Sequence, residues 1–203
     1  MIKRFRKYLL KFNMLRNRAV LLHIANLPPT GNVMMTGDEE KLLSLMVKLV
    51  KPSQVVTRNG KAVYRLKSLD EMGLWAVLET RRAEDVIGRI EAWTDEQYSP
   101  KTVIDAAKLD KFITEQLEYA DNLEGVLLFQ SMGKGDQNTF TGSDEVRKAK
   151  NLLGLIQVTA ELFHCSFEDA KKMNYSDAIL AIAKKHDEVE KEKRDAKKRQ
   201  NKM

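Results

Sequence analysis

Apolar positions recur at helical spacing along most of this chain. In the first segment they fall on one side, with Lys and Arg filling the other, at Ile2, Phe5, Leu9 and Phe12. Steps of three and four residues place side chains on one face of an α-helix. The pattern stops after Leu27, because Pro28 and Pro29 cannot continue a helix. Residues 1–27 are therefore predicted to form a basic amphipathic helix.

A capping box and a turn motif define the next two elements. Thr36 and Glu39 have the spacing at which each side chain satisfies a backbone donor of the other, which predicts a helix over about 38–51. Asn59-Gly60 then separates two runs rich in β-branched and aromatic residues. This dipeptide favours a two-residue hairpin turn, so a β-hairpin is predicted over about 54–66.

Helical patterns fill the rest of the chain. Serines suited to helix N-caps predict further starts, at Ser68, Ser99, Ser143, Ser166 and Ser176. Heptad spacing follows the second of these, at Leu109, Phe112, Gln116, Tyr119, Leu123 and Val126. Because fewer than three full heptads are present, an ordinary bundle helix is preferred over a dimeric coiled coil. The glycine-rich stretch 131–143 is predicted to be an exposed, mobile loop.

These elements predict a mainly α-helical fold, a bundle with one β-hairpin and an extended charged C-terminal helix. The expected parts are the basic helix 1–27, a helix, hairpin and helices over 28–98, a helical bundle over 99–183 and a charged helix or tail over 184–203. The last apolar stripe fades after Val189, so the end of the final helix has no apolar side that could pack against a core.

Positive charge is concentrated at the two ends. Residues 1–18 hold seven Lys or Arg without an acid, and residues 184–203 hold nine against five acids. The ends thus carry +7 and +4, and since the whole chain is +6, the residues between them come to −5. Such ends suit a large anionic partner or neighbouring subunits.

The basic ends supply the candidate binding residues, which are Lys3, Arg4, Arg6, Lys7, Lys11, Arg16, Lys197, Lys198 and Arg199. Four interpretations of the N-terminal helix stay open. It could pack on its own domain with its charges in solvent, contact other subunits of an assembly, neutralise nucleic-acid phosphates or lie on anionic lipid. The C-terminal charges alternate in sign, which suits a solvated helix or insertion against a partner.

No catalytic, cofactor or metal site is predicted. His164 and Cys165 are adjacent, so on a helix they point about 100° apart and do not form a dyad. Glu161 and His164 have a di-iron spacing, but the second such motif is missing. Gly133-Lys134-Gly135 lacks the order of a phosphate-binding loop. One enzymatic alternative stays open: acids such as Asp105, Asp110 and Glu115 could meet in space and form a catalytic site that no sequence motif reveals.

The composition favours a protein of a reducing compartment. With 43% hydrophobic and 32% charged residues the chain resembles ordered, helix-rich proteins, and its single cysteine excludes an internal disulfide framework. No apolar run approaches the roughly 20 residues of a membrane span. We therefore expect a cytoplasmic protein without a cleaved leader, for which a membrane partner is disfavoured.

The C-terminal third carries one resemblance. Leu162-Phe163, the run Ser166–Met173 and the run Ser176–Leu180 precede a long charged helix. Residues 160–195 thereby resemble small helical assembly proteins of tailed bacteriophages, in particular tail-assembly chaperones. The resemblance implies a non-enzymatic protein that binds other virion proteins, in the host cytoplasm or in the virion. It assigns a function to no single residue.

The sequence thus favours a structural or assembly protein that contacts other subunits, or further copies of itself, through its basic ends. The alternative is a protein that binds nucleic acid without regard to sequence.

Overall fold

The computed structural model describes residues 18–29, 35–58, 61–129 and 152–200. Within these ranges the chain is mostly helical and has one antiparallel pair of strands. The predicted fold class, mainly α with one β-hairpin and a long charged C-terminal helix, is confirmed. The loop predicted over 131–143 and the cap at Ser143 lie outside the described residues.

In chain order the helices are α1 (Arg18–Ala25), α2 (Gly37–Leu49), α3 (Leu74–Arg82), α4 (Val86–Thr94), α5 (Val103–Glu124), α6 (Leu152–Phe163), α7 (Phe167–Lys172) and α8 (Tyr175–Gln200). The strands are β1 (Val55–Arg58) and β2 (Lys61–Arg65). A 3₁₀ turn, Leu69–Glu71, precedes α3, and a π-helical turn, Gly125–Phe129, prolongs α5.

The hairpin packs on the helices through one side. Val56 is 3% exposed within the core, whereas Val63 is 54% exposed. The register shifts between Val56 and Thr57, so Val63 is an extra residue in β2. Tyr64, on the same strand, stacks on Tyr98 with the ring centroids 4.5 Å apart. An isolated hairpin is marginal in water, and these contacts supply the support it needs.

One hydrophobic core runs through the described helices and the hairpin. It extends from Val56 to Ala183, so segments 28–98 and 99–183 share it. Its fully buried members include Leu66, Leu74, Leu78, Ile90, Leu109, Ile113, Ile156, Ile179 and Ile182. Trp93 is 2% exposed and donates its indole N–H to the carbonyl of Lys67 at 3.0 Å, which ties α4 to the chain leaving the hairpin.

The buried side of α5 differs from the predicted heptad stripe. Of that stripe only Leu109 is fully buried, and Tyr119 and Val126 are each 52% exposed. The buried side is formed by Ala106, Leu109, Ile113 and Ala120. Ala106, Ile113 and Ala120 recur every seven residues and keep one side of the helix in the core. Tyr119 stands one residue, about 100°, away from Ala120, so it faces solvent. The preference for an ordinary bundle helix agrees with this packing.

Two helix starts lie away from the predicted serines. At α5 the cap is Thr102, whose side chain accepts the N–H of Asp105 at 3.1 Å, so the prediction at Ser99 was wrong. At α8 the side-chain oxygen of Asn174 accepts the N–H of Asp177 at 3.2 Å. Ser176 does not cap, because α8 has already begun at Tyr175, and its hydroxyl donates to Asp70 at 3.1 Å. In both cases a cap residue two or three positions from the predicted serine forms the start.

The two capping boxes both form. Thr36 and Glu39 open α2 as predicted. Ser68 and Glu71 also bond reciprocally, but they close a single 3₁₀ turn rather than opening a longer helix. The chain is extended at Met72 and Gly73, and α3 begins only at Leu74.

Glu71 also connects this turn to the hairpin. Both of its carboxylate oxygens accept from the guanidinium of Arg65, each at 3.2 Å. The backbone N–H of Ser68, followed by Arg65 and the Ser68 hydroxyl, lowers the pKa of Glu71 from 4.5 to about 2.

Neighbouring residues of α8 offer a matched test of the core. Ile179 is fully buried, whereas Leu180 is 50% exposed. We expect Ile179→Ala to lower the free energy of unfolding by about 2–5 kcal/mol, because it leaves a cavity. Leu180→Ala should cost less than about 1 kcal/mol. Urea unfolding followed by circular dichroism measures both, and equal costs would contradict the packing of α8.

The carboxylate of Glu71 should make stability depend on pH in a defined window. Its folded pKa lies below the unfolded value, so its contribution is complete above pH 4.5 and is lost as pH falls toward about 2. In Glu71→Gln this contribution is absent at every pH. We therefore expect the difference in unfolding free energy between wild type and variant to shrink as pH falls through that window. A difference independent of pH would refute the assignment.

Candidate functional site

The predicted binding residues fall into two groups. Lys3, Arg4, Arg6, Lys7, Lys11 and Arg16 lie outside the described residues. Lys197, Lys198 and Arg199 stand in the last turn of α8, and all three are exposed. The described part of the candidate site is therefore the C-terminal end of α8, which we call the arm (residues 191–199).

The arm is helical although it buries nothing. All nine of its residues are exposed, and they include six Lys or Arg against two acids. The buried part of α8 passes the predicted start of the charged tail at residue 184, since His186 is 2% exposed, and it ends at Val189 and Glu190, which are partly buried, close to where the apolar stripe fades. A helix already nucleated by its packed half adds residues at little cost, which explains how a solvated end stays regular.

Local ion pairs near the arm join residues three positions apart. Glu190 pairs with Lys193 at 3.0 Å, and its carbonyl accepts from Arg194 at 3.3 Å. Lys185 pairs with Glu188 at 3.8 Å. Pairs of this kind contribute only about 0.2–0.5 kcal/mol each. The remaining cations of the arm project into solvent.

The base of α8 is fixed by backbone pairing with the segment before α3. Gly73 and Asn174 form an isolated antiparallel bridge. On either side of it, Leu74 donates its N–H to Met173 at 2.7 Å and Tyr175 donates to Met72 at 3.0 Å. A Cβ on Gly73 would stand 3.5 Å from the carbonyl oxygen of Lys171, in ordinary contact, so the close approach of the two segments does not itself require glycine.

Beside this bridge lies a polar cluster that joins α3, α5 and α8 (Arg81, Asp121, Glu124 and Tyr175; the Arg81 cluster). Arg81 donates to Glu124 at 2.9 Å, to Asp121 at 2.7 Å and to the hydroxyl of Tyr175 at 3.2 Å. Tyr175 in turn donates to Glu124. The guanidinium also lies over the tyrosine ring, 5.6 Å from its centroid. Four side chains thus satisfy one another at the point where α8 begins.

The electrostatics of this cluster keep its charges fixed. Tyr175 has no exposed surface, and its burial, followed by the neighbouring Glu124, raises the pKa of the phenol against the opposing effect of Arg81. Burial disfavours the charge of Arg81, but Tyr175, Glu124 and Asp121 outweigh it and raise the pKa of the guanidinium. A neutral phenol and a charged arginine are the forms that these hydrogen bonds require.

A second group of stacked side chains covers the outside of the same region. Trp75 is partly buried, with Lys171 4.7 Å and Arg82 5.7 Å from its ring centroid. Lys171 also lies 5.2 Å from the ring of Phe167 and pairs with Glu168 at 2.8 Å. These cation–π contacts join α3 to α7. Trp75 is thus held near the surface by these contacts, whereas Trp93 lies in the core.

The side chains considered for catalysis do not assemble into a site. Cys165 is partly buried against the core, and the exposed His164 has a left-handed backbone, with φ of 51°, that ends α6. Asp110 pairs with Arg89 at 2.7 Å, and Asp105 lies 3.9 Å from Lys108. Among the described residues no three His, Cys, Asp or Glu come together in a way that could hold a metal ion.

No protein-family profile matches this chain, and neither the curated proteins nor the solved structures contain a significant match. Within the described ranges no helix combines the length and apolar character needed to cross a membrane.

Sequence reasoning missed the Arg81 cluster, although one signal pointed to Arg81. Leu74 and Val77 are buried, and Arg81 follows them by seven and four residues, so it shares their side of α3. Arg82 is rotated away from that side and pairs with Glu79 at the surface, at 3.0 Å. Nothing in the sequence, by contrast, indicates that Tyr175 would meet Glu124.

The adjacent arginines Arg81 and Arg82 therefore form a matched pair for mutation. Arg81→Met removes the cation from the partly buried Glu124 and leaves the hydroxyl of Tyr175 with one partner fewer. We expect a loss of about 1–3 kcal/mol in unfolding free energy. Arg82→Met removes a surface ion pair and should cost less than about 1 kcal/mol. Denaturant titration measures the loss of unfolding free energy in both variants. If Arg82→Met costs as much as Arg81→Met, the cluster has no specific role in stability.

Proposed function

We propose that this chain is a non-enzymatic structural or assembly subunit of a multi-subunit particle, and that it binds neighbouring subunits through its basic termini. The supporting observation is the arm, which continues α8 and buries nothing in its own chain, while the first residue of α8 is held by the Arg81 cluster. The resemblance of residues 160–195 to tailed-bacteriophage assembly proteins makes a phage virion or tail our proposed particle. Its place of action is then the host cytoplasm or the virion.

The arm favours a protein partner over a bare polyanion. Glu192 and Asp195 interrupt its cations, so its surface alternates in sign along the helix. Mixed charges of this kind set register and partner choice between helices. A phosphate backbone would instead be repelled by both acids.

A sequence-independent nucleic-acid-binding protein is the second proposal, favoured by the six exposed cations of the arm. If it is correct, the chain binds a random DNA duplex with an affinity that falls steeply between low and moderate salt. Fluorescence anisotropy of a labelled duplex measures this. Absence of binding even at low salt would eliminate the second proposal and leave the first untouched.

Truncation separates the role of the arm from the stability of the body. Removing residues 191–203 should leave the melting temperature unchanged, because the arm buries nothing. Removing residues 184–203 also takes away the buried His186 and should lower the melting temperature by several degrees. Differential scanning calorimetry distinguishes the two. A substantial loss of melting temperature on the shorter deletion would show that the arm packs on the body.

The same shorter deletion tests the proposed function. Native mass spectrometry of the tagged chain from cells that produce it should show defined protein complexes with fixed stoichiometry. These complexes should be lost from the chain that lacks 191–203 and from the triple variant Lys197→Gln, Lys198→Gln, Arg199→Gln. Identical complexes with and without the arm would exclude it as the contact.

A further inference from the structure

The outward side of α5 is apolar and acidic beyond its first three turns. Its members are Glu115, the adjacent Glu118 and Tyr119, Asn122 and, in the π-helical turn that prolongs α5, Val126, and all are exposed. We call them the outer face of α5. Tyr119 and Val126 each expose 52% of their surface, although both belong to the apolar stripe of the sequence. Large exposed apolar side chains at helical spacing are typical of a face that receives another helix.

This face continues onto α2. Lys111, one turn before Glu115, donates to the carbonyls of Lys48 at 3.1 Å and Val50 at 2.7 Å, which places the end of α2 against α5. Between those two carbonyls Leu49 is 67% exposed. The whole of α2 is amphipathic yet has no buried residue. From Glu115 to Val126 the outer face is about 17 Å long.

The charge on this face restricts what can cover it. Glu115 and Glu118 form no ion pair within the described part of the chain, and no lysine or arginine stands on the face between Lys111 and Val126. Nucleic acid and anionic lipid would be repelled there. A suitable occupant is an amphipathic helix whose flanks are basic.

We propose that the outer face of α5 binds the N-terminal segment, residues 1–17, of a second copy of this chain. That segment carries six Lys or Arg and no acid, and its apolar residues follow the same spacing, at Ile2, Phe5, Leu9 and Phe12. On a helix, the apolar stripe from Ile2 to Phe12 would span about 15 Å, close to the length of the face. This inference rests on the proposed function, because it identifies one neighbouring subunit as another copy.

A contact between two different surfaces has a geometric consequence. Each copy offers one basic segment and one acidic face, so each can bind two neighbours in a head-to-tail manner. Such contacts close into rings or grow into open filaments, according to the rotation between copies. Exposed charges contribute to the contact, so assembly should weaken as salt rises.

Charge reversal tests this contact in the full chain. Sedimentation velocity over a wide range of protein concentration should show that the wild type forms larger species at low salt. Glu115→Lys combined with Glu118→Lys reverses the face and should abolish them. The control Glu84→Lys combined with Glu96→Lys makes the same change in net charge at exposed positions elsewhere and should assemble like the wild type. Circular dichroism confirms that each variant is folded.

A complementation experiment then identifies the occupant. Changing Lys3, Arg4, Lys7 and Lys11 together to Glu takes the segment from +6 to −2, which reverses its sign, and should also give monomers. Mixing this variant with the face-reversed variant restores opposite charges in both directions, so larger species should reappear. If each variant is monomeric alone and the mixture stays monomeric, the segment is not what the face binds.

Two other results would overturn the inference. A wild type that is monomeric at every concentration shows that the face receives no second copy, and a face-reversed variant that still assembles shows that copies meet elsewhere. Neither result touches the proposed function, which concerns complexes with any neighbouring subunit. That function fails separately, if the chain forms no arm-dependent complex in cells that produce it.

Discussion

The structure depends most on the contact of Tyr175 with Arg81 and Glu124. A phenol with no exposed surface donates to a carboxylate and accepts from a guanidinium, so three helices meet at one satisfied polar cluster. A partly buried ionic cluster adds little net stability compared with an apolar one, but the buried phenol and the partly buried Arg81 and Glu124 are costly to leave unpaired. The cluster therefore favours the arrangement of α3, α5 and α8 in which these three side chains meet.

That arrangement gives the charged end of α8 a defined direction. The helix is held at its first residues by the Arg81 cluster and by the Gly73–Asn174 bridge, and along its first half by Ile179 and Ile182. Its last turns continue the same axis into solvent. A rigid, prearranged arm loses less conformational entropy on binding than a free tail does. The fold thus presents charge at a fixed position instead of leaving it on a random coil.

The described body carries an acidic surface that is complementary in charge to the basic ends of the chain. The chain is positive overall, yet the outer face of α5 exposes Glu115 and Glu118 beside Tyr119 and Val126. Sequence patterns alone could not distinguish this face from a core stripe, because Leu109 and Tyr119 belong to the same predicted heptad stripe. Only the packing of α5 shows that Leu109 is buried and Tyr119 is exposed.

The sequence by itself determined the elements that local chemistry controls. The Thr36–Glu39 capping box, the hairpin around Asn59-Gly60 and the fading of the last apolar stripe near Val189 depend on neighbours within a few residues. Tertiary structure decided the rest. It started α8 at Tyr175 with Asn174 as the cap, where Asn174 pairs with Gly73, and it ended the Ser68 turn at the same bridge. Likewise, Arg81 meets Tyr175 across 94 residues. Contacts between residues so distant depend on how the helices pack, which no local pattern records.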